Sequence, residues 1–279
     1  MVAILNHMAG RAEIISSARS IFSLIRVVLL VIGISFLSWS ASAQEAPLFP
    51  QHEEISYRVG YGPAHLADMN LVVQCVGTQI QGNLEAQSKG LARRVHPFRV
   101  KLGTRARIGG GSEVAQTWIE EKGELRSYES SFNGAPGVET RAEIRGRSQE
   151  ETVELPAMGH DLLSWLFHLR RQVSRDGEQQ GARRYTLWDG WKLVFLDVHP
   201  GERIALETEK GVLESQAFGL RRTRLFHDAE RRFGVSEEVE ELGTIWIELA
   251  PRALPVAMAF RAPIGQVRIE LAGYVERAC

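Results

Sequence analysis

The chain has little cysteine and no excess of charge of one sign. Its two cysteines, Cys75 and Cys279, lie far apart, so the sequence contains no Cys-x-x-Cys pair of the kind that binds zinc. The 33 Lys and Arg residues are balanced by 34 Asp and Glu residues. This balance argues against a nucleic-acid-binding protein, because that function requires a clear basic excess.

Catalytic motifs are also missing. The sequence has no Gly-x-Ser-x-Gly, no Ser-x-x-Lys and no His-Glu-x-x-His. Asp197 and His199 share a predicted strand face and could contribute to a zinc site, but their spacing provides no third ligand, so an exposed strand end is the preferred interpretation. We therefore expect a non-enzymatic protein with no catalytic residue, metal or cofactor. A hydrolase site assembled from distant residues is the least favoured alternative.

Long apolar runs are absent except near the N-terminus. Three arginines precede the apolar run Val27–Leu37, and the small residues Ala41–Ala43 follow it. This order is typical of a cleavable bacterial signal peptide, and the run is shorter than the ~20 residues that span a bilayer. The sequence predicts a signal peptide over residues 1–43, cut before Gln44, and a single periplasmic domain over 44–279 with no membrane span. An uncleaved anchor is the alternative.

Alternation of apolar and polar residues with a period of two dominates the rest of the chain. It predicts about a dozen short strands connected by turns, and no strand–helix alternation indicates a parallel sheet. The residues Asn133–Gly137 and His199–Gly201 are predicted to be turns. Asp189-Gly190 predicts a type I′ hairpin turn, and the charged residues 226–242 predict a loop with a short helical turn.

The periodicity becomes helical after Asp161, which is a suitable N-cap residue. The predicted helix covers about residues 161–173, and its apolar residues occupy roughly 200° of the helical wheel. A surface helix needs about half of that arc, so we expect this helix to be enclosed on more than one side. His160 and His168 flank the helix and are interpreted as solvent-facing or hydrogen-bonded residues.

These patterns predict a mainly β fold. We expect a single strongly curved antiparallel sheet, open or half-barrel-like, with one main helix packed on its concave side, because a sheet of this strand number curls or closes. Tryptophan side chains could line a ligand cavity inside such a sheet, or they could fill its core. The ligand-cavity candidates are Trp165, Leu166, Leu169 and Trp246.

The two cysteines are candidates for a disulfide, because the periplasm oxidises thiols. Cys75 lies in a predicted strand and Cys279 follows the last predicted strand. If those strands are neighbours, the bond would attach the C-terminus to the sheet. The alternative is a buried Cys75 and a frayed C-terminal tail.

Three segments resemble an uncharacterised bacterial envelope family, domain of unknown function 3108. They are the helix motif Asp161–Arg170, the segment Gly243–Val256 and the closing hairpin Ala262–Leu271. The resemblance covers roughly residues 150–279 well, whereas the N-terminal half is similar mainly in its strand pattern. It implies an exported protein with a mostly antiparallel fold, and it implies no reaction.

Export, a curled sheet and an apolar helix together favour a protein that binds an apolar or amphipathic ligand, such as a lipid or an acyl chain. The alternative is a structural or interaction module that docks on another component of the cell envelope through sheet edges or loops. The expected partners are thus a lipid or an envelope protein. The sequence gives no indication of the oligomeric state.

Overall fold

Most of the chain forms one β-sheet. The structure is a computed structural model that describes residues 50–132, 137–177, 181–209, 211–227, 233–249, 252–262 and 265–277. The predicted signal peptide, most of the turn Asn133–Gly137 and Cys279 lie outside the described residues. Within the described ranges the chain forms fifteen strands and two helices.

The strands and helices have the following bounds. The helices are α1 (Gly90–Val95) and α2 (Leu162–Asp176). The first eight strands are β1 (His52–Tyr61), β2 (Ala64–Val76), β3 (Gln79–Ser88), β4 (Phe98–Arg107), β5 (Ser112–Glu121), β6 (Glu124–Phe132), β7 (Gly137–Ile144) and β8 (Arg147–Glu154). The others are β9 (Gly159–His160), β10 (Arg183–Trp188), β11 (Leu193–Thr208), β12 (Gly211–His227), β13 (Phe233–Glu248), β14 (Pro255–Ala262) and β15 (Gly265–Arg277).

The sheet consists of two meanders joined in the middle. From β1 to β8 and from β10 to β15, each strand pairs antiparallel with the next strand of the chain, while β9 pairs parallel with β10. Antiparallel pairing between β1 and β15 connects the two meanders. Strands β8 and β9 lie at opposite edges, so the sheet is curved but not closed. The predicted fold class is confirmed.

Helix α2 fills the concave side of this sheet. Trp165, Leu166 and Leu169 are almost fully buried, and they belong to one hydrophobic core with apolar residues of both meanders. The helix begins at the predicted cap, because the Asp161 carboxylate accepts hydrogen bonds from the backbone N–H groups of Leu163 and Ser164. The predicted helix is therefore confirmed, and it extends three residues further than expected.

The two edges of the sheet approach each other through side chains rather than through strand pairing. Trp188 on β10 donates its indole N–H to Ser130 Oγ on β6 at 3.0 Å and to Thr140 Oγ1 on β7 at 2.8 Å. Trp188 also belongs to a second apolar cluster, with Val138 and Val153 from the β7–β8 end of the sheet. The sheet thus curls far enough for its two ends to share a small core.

One predicted turn and most of one predicted loop are wrong, because their described residues belong to strands. His199–Gly201 lie inside β11, where the pairing with β12 shifts register between Pro200 and Arg203. Such a bulge accommodates a proline, which has no N–H to donate to a neighbouring strand. The predicted loop over 226–242 is largely strand, since β12 runs to His227 and pairs with β13 from Phe233.

The hairpin between β10 and β11 is present, but its turn differs from the prediction. The connecting loop has four residues, 189–192, rather than a two-residue type I′ turn. Gly190 has a φ of 83°, whereas Asp189 is not in the positive-φ region that the type I′ turn requires. The short helix α1 was not predicted.

Candidate functional site: a cleft beside the helix

A cleft of about 700 Å³ lies beside the N-terminal end of α2. Three parts of the fold line it: the strands β4, β5 and β6, the first turn of α2, and the loop between β10 and β11. Its apolar lining is mostly buried, with Val100, Leu163 and Trp188 each less than 5% exposed. Such a volume is in the range of small-molecule sites, roughly 300–1,000 Å³.

The loop 189–192 is held in place by its own first residue. One oxygen of the Asp189 carboxylate accepts hydrogen bonds from the backbone N–H groups of Trp191, at 2.8 Å, and Lys192, at 2.5 Å. Burial raises the pKa of Asp189, and these backbone bonds oppose the rise. A Cβ atom at Gly190 would lie 3.0 Å from Tyr128 Cβ. Glycine therefore lets the loop pack closely against β6.

The first turn of α2 is fixed to the sheet by a buried hydrogen-bond network. Thr104 and Ser112 donate their hydroxyls to Asp161 Oδ2 at 2.6 and 2.7 Å, and the Ser112 and Ser164 hydroxyls are 2.6 Å apart. Burial raises the pKa of Asp161, although these hydrogen bonds act in the opposite direction. The network attaches the helix to β4 and β5, which sets the position of Leu163 in the cleft.

Charged side chains lie among the exposed residues around the cleft. Lys122 is exposed and belongs to the two-residue turn Lys122-Gly123, whose φ values of 50° and 80° fit a type I′ hairpin. Glu124 accepts bonds from Arg145 Nη2 at 2.7 and 2.9 Å. These bonds lower the pKa of the Glu124 carboxyl. The cleft therefore combines an apolar interior with a charged margin.

None of the four ligand-cavity candidates lines this cleft. Trp165, Leu166 and Leu169 are core residues with at most 1% exposure. Trp246 is half-buried and packs against the same core, between the buried Ile245 and Ile247 on β13. These four side chains lie in or against the core, and their role in lining a ligand cavity stays a prediction.

Other residues of the same types do line the cleft. Leu162 and Leu163 line it, about one helical turn before the candidates Trp165 and Leu166. Trp188 and Trp191 line it from the hairpin between β10 and β11. Trp191 is 49% exposed and packs edge-on against Tyr128, with 5.7 Å between the ring centroids. The sequence analysis considered tryptophans in general as cavity residues, but no sequence signal distinguished Trp188 and Trp191 from Trp165.

A second buried polar cluster lies further along α2. Arg170 Nη1 is 3.3 Å from Glu53 Oε2, and both side chains are fully buried. Arg170 also donates to the backbone oxygen of Arg252 at 2.8 Å, and Tyr274 donates its hydroxyl to Glu53 at 3.0 Å. Burial raises the pKa of Glu53 and lowers that of Arg170 to about 9. The cluster links the helix to β1 and β15.

The interpretation of the two helix-flanking histidines needs one correction. His160 is 3% exposed rather than solvent-facing, and its ring lies 5.3 Å from that of His168. Burial lowers the pKa of His160 to about 3, and His168 adds to the effect. Asp197 pairs with Arg184 at 2.6 Å. In the described part of the chain, no three His, Cys, Asp or Glu side chains are grouped where they could hold a metal ion.

The strand that carries Cys75 is not adjacent to the last strand, contrary to expectation. Strand β1 separates β2 from β15, with His52 opposite both Gln74 and Arg277. Burial raises the pKa of the Cys75 thiol to about 12. Because Cys279 lies outside the described residues, the disulfide itself stays a prediction.

No helix in the described ranges combines the length and the apolar character needed to cross a membrane.

Comparisons with known proteins define the fold but no activity. No family model matches the chain, and no curated protein matches it by sequence, so the resemblance to domain of unknown function 3108 stays a prediction. The chain is similar to the crystal structure of a beta-barrel-like protein of domain of unknown function DUF1849 from Brucella abortus. The TM-score is 0.52 at 9% identity, over 82% of this chain and 98% of that chain.

A second solved structure has a lower score. It is a Bacteroides fragilis protein with a YmcC-like fold, which matches with a TM-score of 0.30 and 7% identity over 87% of this chain and 100% of that chain. At these identities the comparisons concern architecture alone. The chain therefore shares the beta-barrel-like fold of the DUF1849 protein.

Proposed function

We propose that this chain is an exported periplasmic protein that binds an amphipathic ligand, such as a lipid or a compound with an acyl chain, without catalysing a reaction. The observation that carries the proposal is the polarity of the cleft. Val100, Leu163 and Trp188 form a buried apolar surface, whereas Lys122 and Arg145 are exposed at its margin. An apolar chain gains free energy by leaving water for such a surface, and a polar head can stay near the margin.

Access to the cleft supports binding rather than simple packing. Trp191 is 49% exposed at the loop 189–192, although a tryptophan of the core would be expected to be buried. An aromatic side chain at the edge of an apolar cleft is suited to cover a bound chain while its indole N–H remains in water.

The alternative, docking through a sheet edge, has weaker support. Strand β8 is an open edge, and seven of its eight residues are exposed. Its sequence, RSQEETVE, carries one Arg and three Glu residues. Charged residues at an open edge hinder the addition of another strand, so this edge is poorly suited to bind a partner by strand pairing.

Export and membership in the envelope family are part of the proposal and rest on the sequence. N-terminal sequencing of the protein isolated from its bacterial host is expected to begin at Gln44. Finding residues 1–43 intact on membrane-bound protein would identify the apolar run as an anchor. The soluble periplasmic role would then have to be abandoned.

Ligand binding is tested by native mass spectrometry of the mature protein purified from the periplasm, where a co-purifying lipid is expected. Ala115 lines the cleft, so Ala115→Phe should fill it and abolish co-purification. Glu120 lies on the same strand and points away from the cleft, so Glu120→Phe is the matched control and should retain the ligand. A mature protein without any bound amphiphile, and without affinity for one added after extraction, would reject the proposal.

A further inference from the structure

We infer that the cleft selects amphiphiles with an anionic head, and that Arg126 binds this head. The inference rests on the proposed ligand-binding function and adds the chemistry of the ligand. It follows from three features of the cleft: the existing partners of its carboxylates, the unused donors of Arg126 and the position of Arg126 between apolar and charged lining.

The carboxylates of the cleft already have hydrogen-bond donors. Glu121 is bound by His96 Nε2 at 2.6 Å and is 7% exposed, and Glu124 is bound through both oxygens by Arg145. Asp161 and Asp189 hold the start of α2 and the loop 189–192. A cationic head group would therefore compete with donors that stabilise the fold.

Arg126 has donors that these carboxylates do not use. Among the described residues its hydrogen-bond acceptor is Glu124 Oε2, at 3.3 Å from Arg126 Nη2. A guanidinium carries five N–H donors, and that glutamate makes its shorter bonds to Arg145. The Arg126 side chain is only 18% exposed, so its remaining donors have limited contact with water. An anionic acceptor in the cleft would satisfy them.

Arg126 lies where the apolar lining of the cleft meets its charged margin. Along β6 it lies on the same face as the buried Tyr128, and across the sheet it pairs with Ile119, which lines the cleft. The exposed Arg145 lies beyond it, joined through Glu124. A ligand whose alkyl chain lies against Leu163 and Trp188 would thus place its head group at Arg126. A carboxylate or phosphate can accept two parallel N–H bonds there.

The test uses ligands that have the same dodecyl-length alkyl chain and differ in their head group. Delipidated mature protein is titrated by calorimetry with dodecanoate, dodecanol and dodecyltrimethylammonium, below their micelle concentrations. Dodecanoate is expected to bind roughly tenfold or more tightly than the other two, because a charge-assisted hydrogen bond contributes that much affinity. Equal affinity for the three heads would overturn the inference while leaving the proposed function intact. Absence of binding by all three would reject both.

Variants then locate the head group. Arg126→Gln should weaken dodecanoate binding about tenfold and dodecanol binding much less, and Arg126→Lys should restore part of the loss of dodecanoate binding. Arg141→Gln is the control, since Arg141 is a 72% exposed arginine paired with Glu150 and lies outside the cleft. Unchanged dodecanoate binding in a folded Arg126→Gln protein would contradict the assignment. If that variant does not fold, the wild-type head-group series decides the anion preference on its own.

Discussion

The indole N–H of Trp188 lies 2.8 Å from Thr140 Oγ1, and this contact joins strands from opposite ends of the open sheet. The same N–H also reaches Ser130 Oγ at 3.0 Å, and the two hydroxyls are themselves 2.8 Å apart. No backbone pairing connects β10 with β6 or β7. A single side chain thus helps to determine how far the sheet curls, and with it the width of the cleft.

Replacing Trp188 tests this link. Trp188→Phe keeps an aromatic ring but removes the indole N–H that two buried hydroxyls share, so the free energy of unfolding should fall by about 1–3 kcal/mol in urea titrations. Trp191→Phe is the control, because Trp191 is half-exposed and should change stability by less than about 0.5 kcal/mol. If the two variants are equally stable, the indole hydrogen bonds do not hold the sheet ends together.

The buried ion pair between Arg170 and Glu53 should matter far more than an exposed one. Arg170→Met leaves a buried carboxylate without its counter-charge and should cost about 3–5 kcal/mol of unfolding free energy. Adding Glu53→Gln removes the buried negative charge and should recover part of the loss. The control is Arg58→Met, which breaks an ion pair with Glu209 whose side chains are each 53% exposed and should cost less than about 1 kcal/mol. Similar costs at both sites would contradict a structural role for the buried pair.

His160 should make the protein less stable in mild acid. Its pKa is about 3 in the folded chain, against 6.5 for an unperturbed histidine, because burial disfavours the charged form. The unfolded state therefore binds more protons between these two pH values, so the stability present above pH 6.5 is lost as the pH falls towards 3. At pH 4.5 the expected loss from this residue is on the order of 2–3 kcal/mol.

The pH effect is measured as a difference between two proteins. Unfolding free energies of wild type and His160→Phe are compared at pH 7.5 and pH 4.5. Glu53, Asp161 and Asp189 are present in both proteins, so their contributions cancel to first order. The variant should lose less stability on acidification, whereas an equal loss in both proteins would mean that His160 is already protonated or solvated in the folded state.

A disulfide between Cys75 and Cys279 is expected. It would connect β2 to the C-terminal tail beyond the N-terminal end of β1, rather than across that strand. The Cys75 N–H donates to the backbone oxygen of Gln51, just before β1 begins at His52. Across β1 itself the Cα atoms would be separated by two strand spacings, about 9–10 Å, which exceeds the ~7 Å limit of a disulfide. Thiol counting on denatured, unreduced protein should find no thiol, and two thiols per chain would reject the bond.

Local sequence patterns determined the elements of this protein. Alternation with a period of two identified strands such as β1 and β15, because every second side chain of a strand faces the core. Asp161 and the apolar arc after it identified α2, since a capping residue and a period of 3.6 are both local properties. These features depend on neighbours within a few positions of the chain.

Only the tertiary structure decided where the site lies. Periodicity shows which residues share a face of a strand, but it does not show which face becomes concave or which strand lies opposite. Trp188 and Trp246 look alike in the sequence, yet Trp188 lines the cleft whereas Trp246 packs against the main core. Arg126 has the pattern of an ordinary polar strand residue until the curvature of the sheet places it in the lining of the cleft. The pairing of β1 with β15 and the approach of the sheet edges set that curvature, and such long-range contacts leave no local signal in the chain.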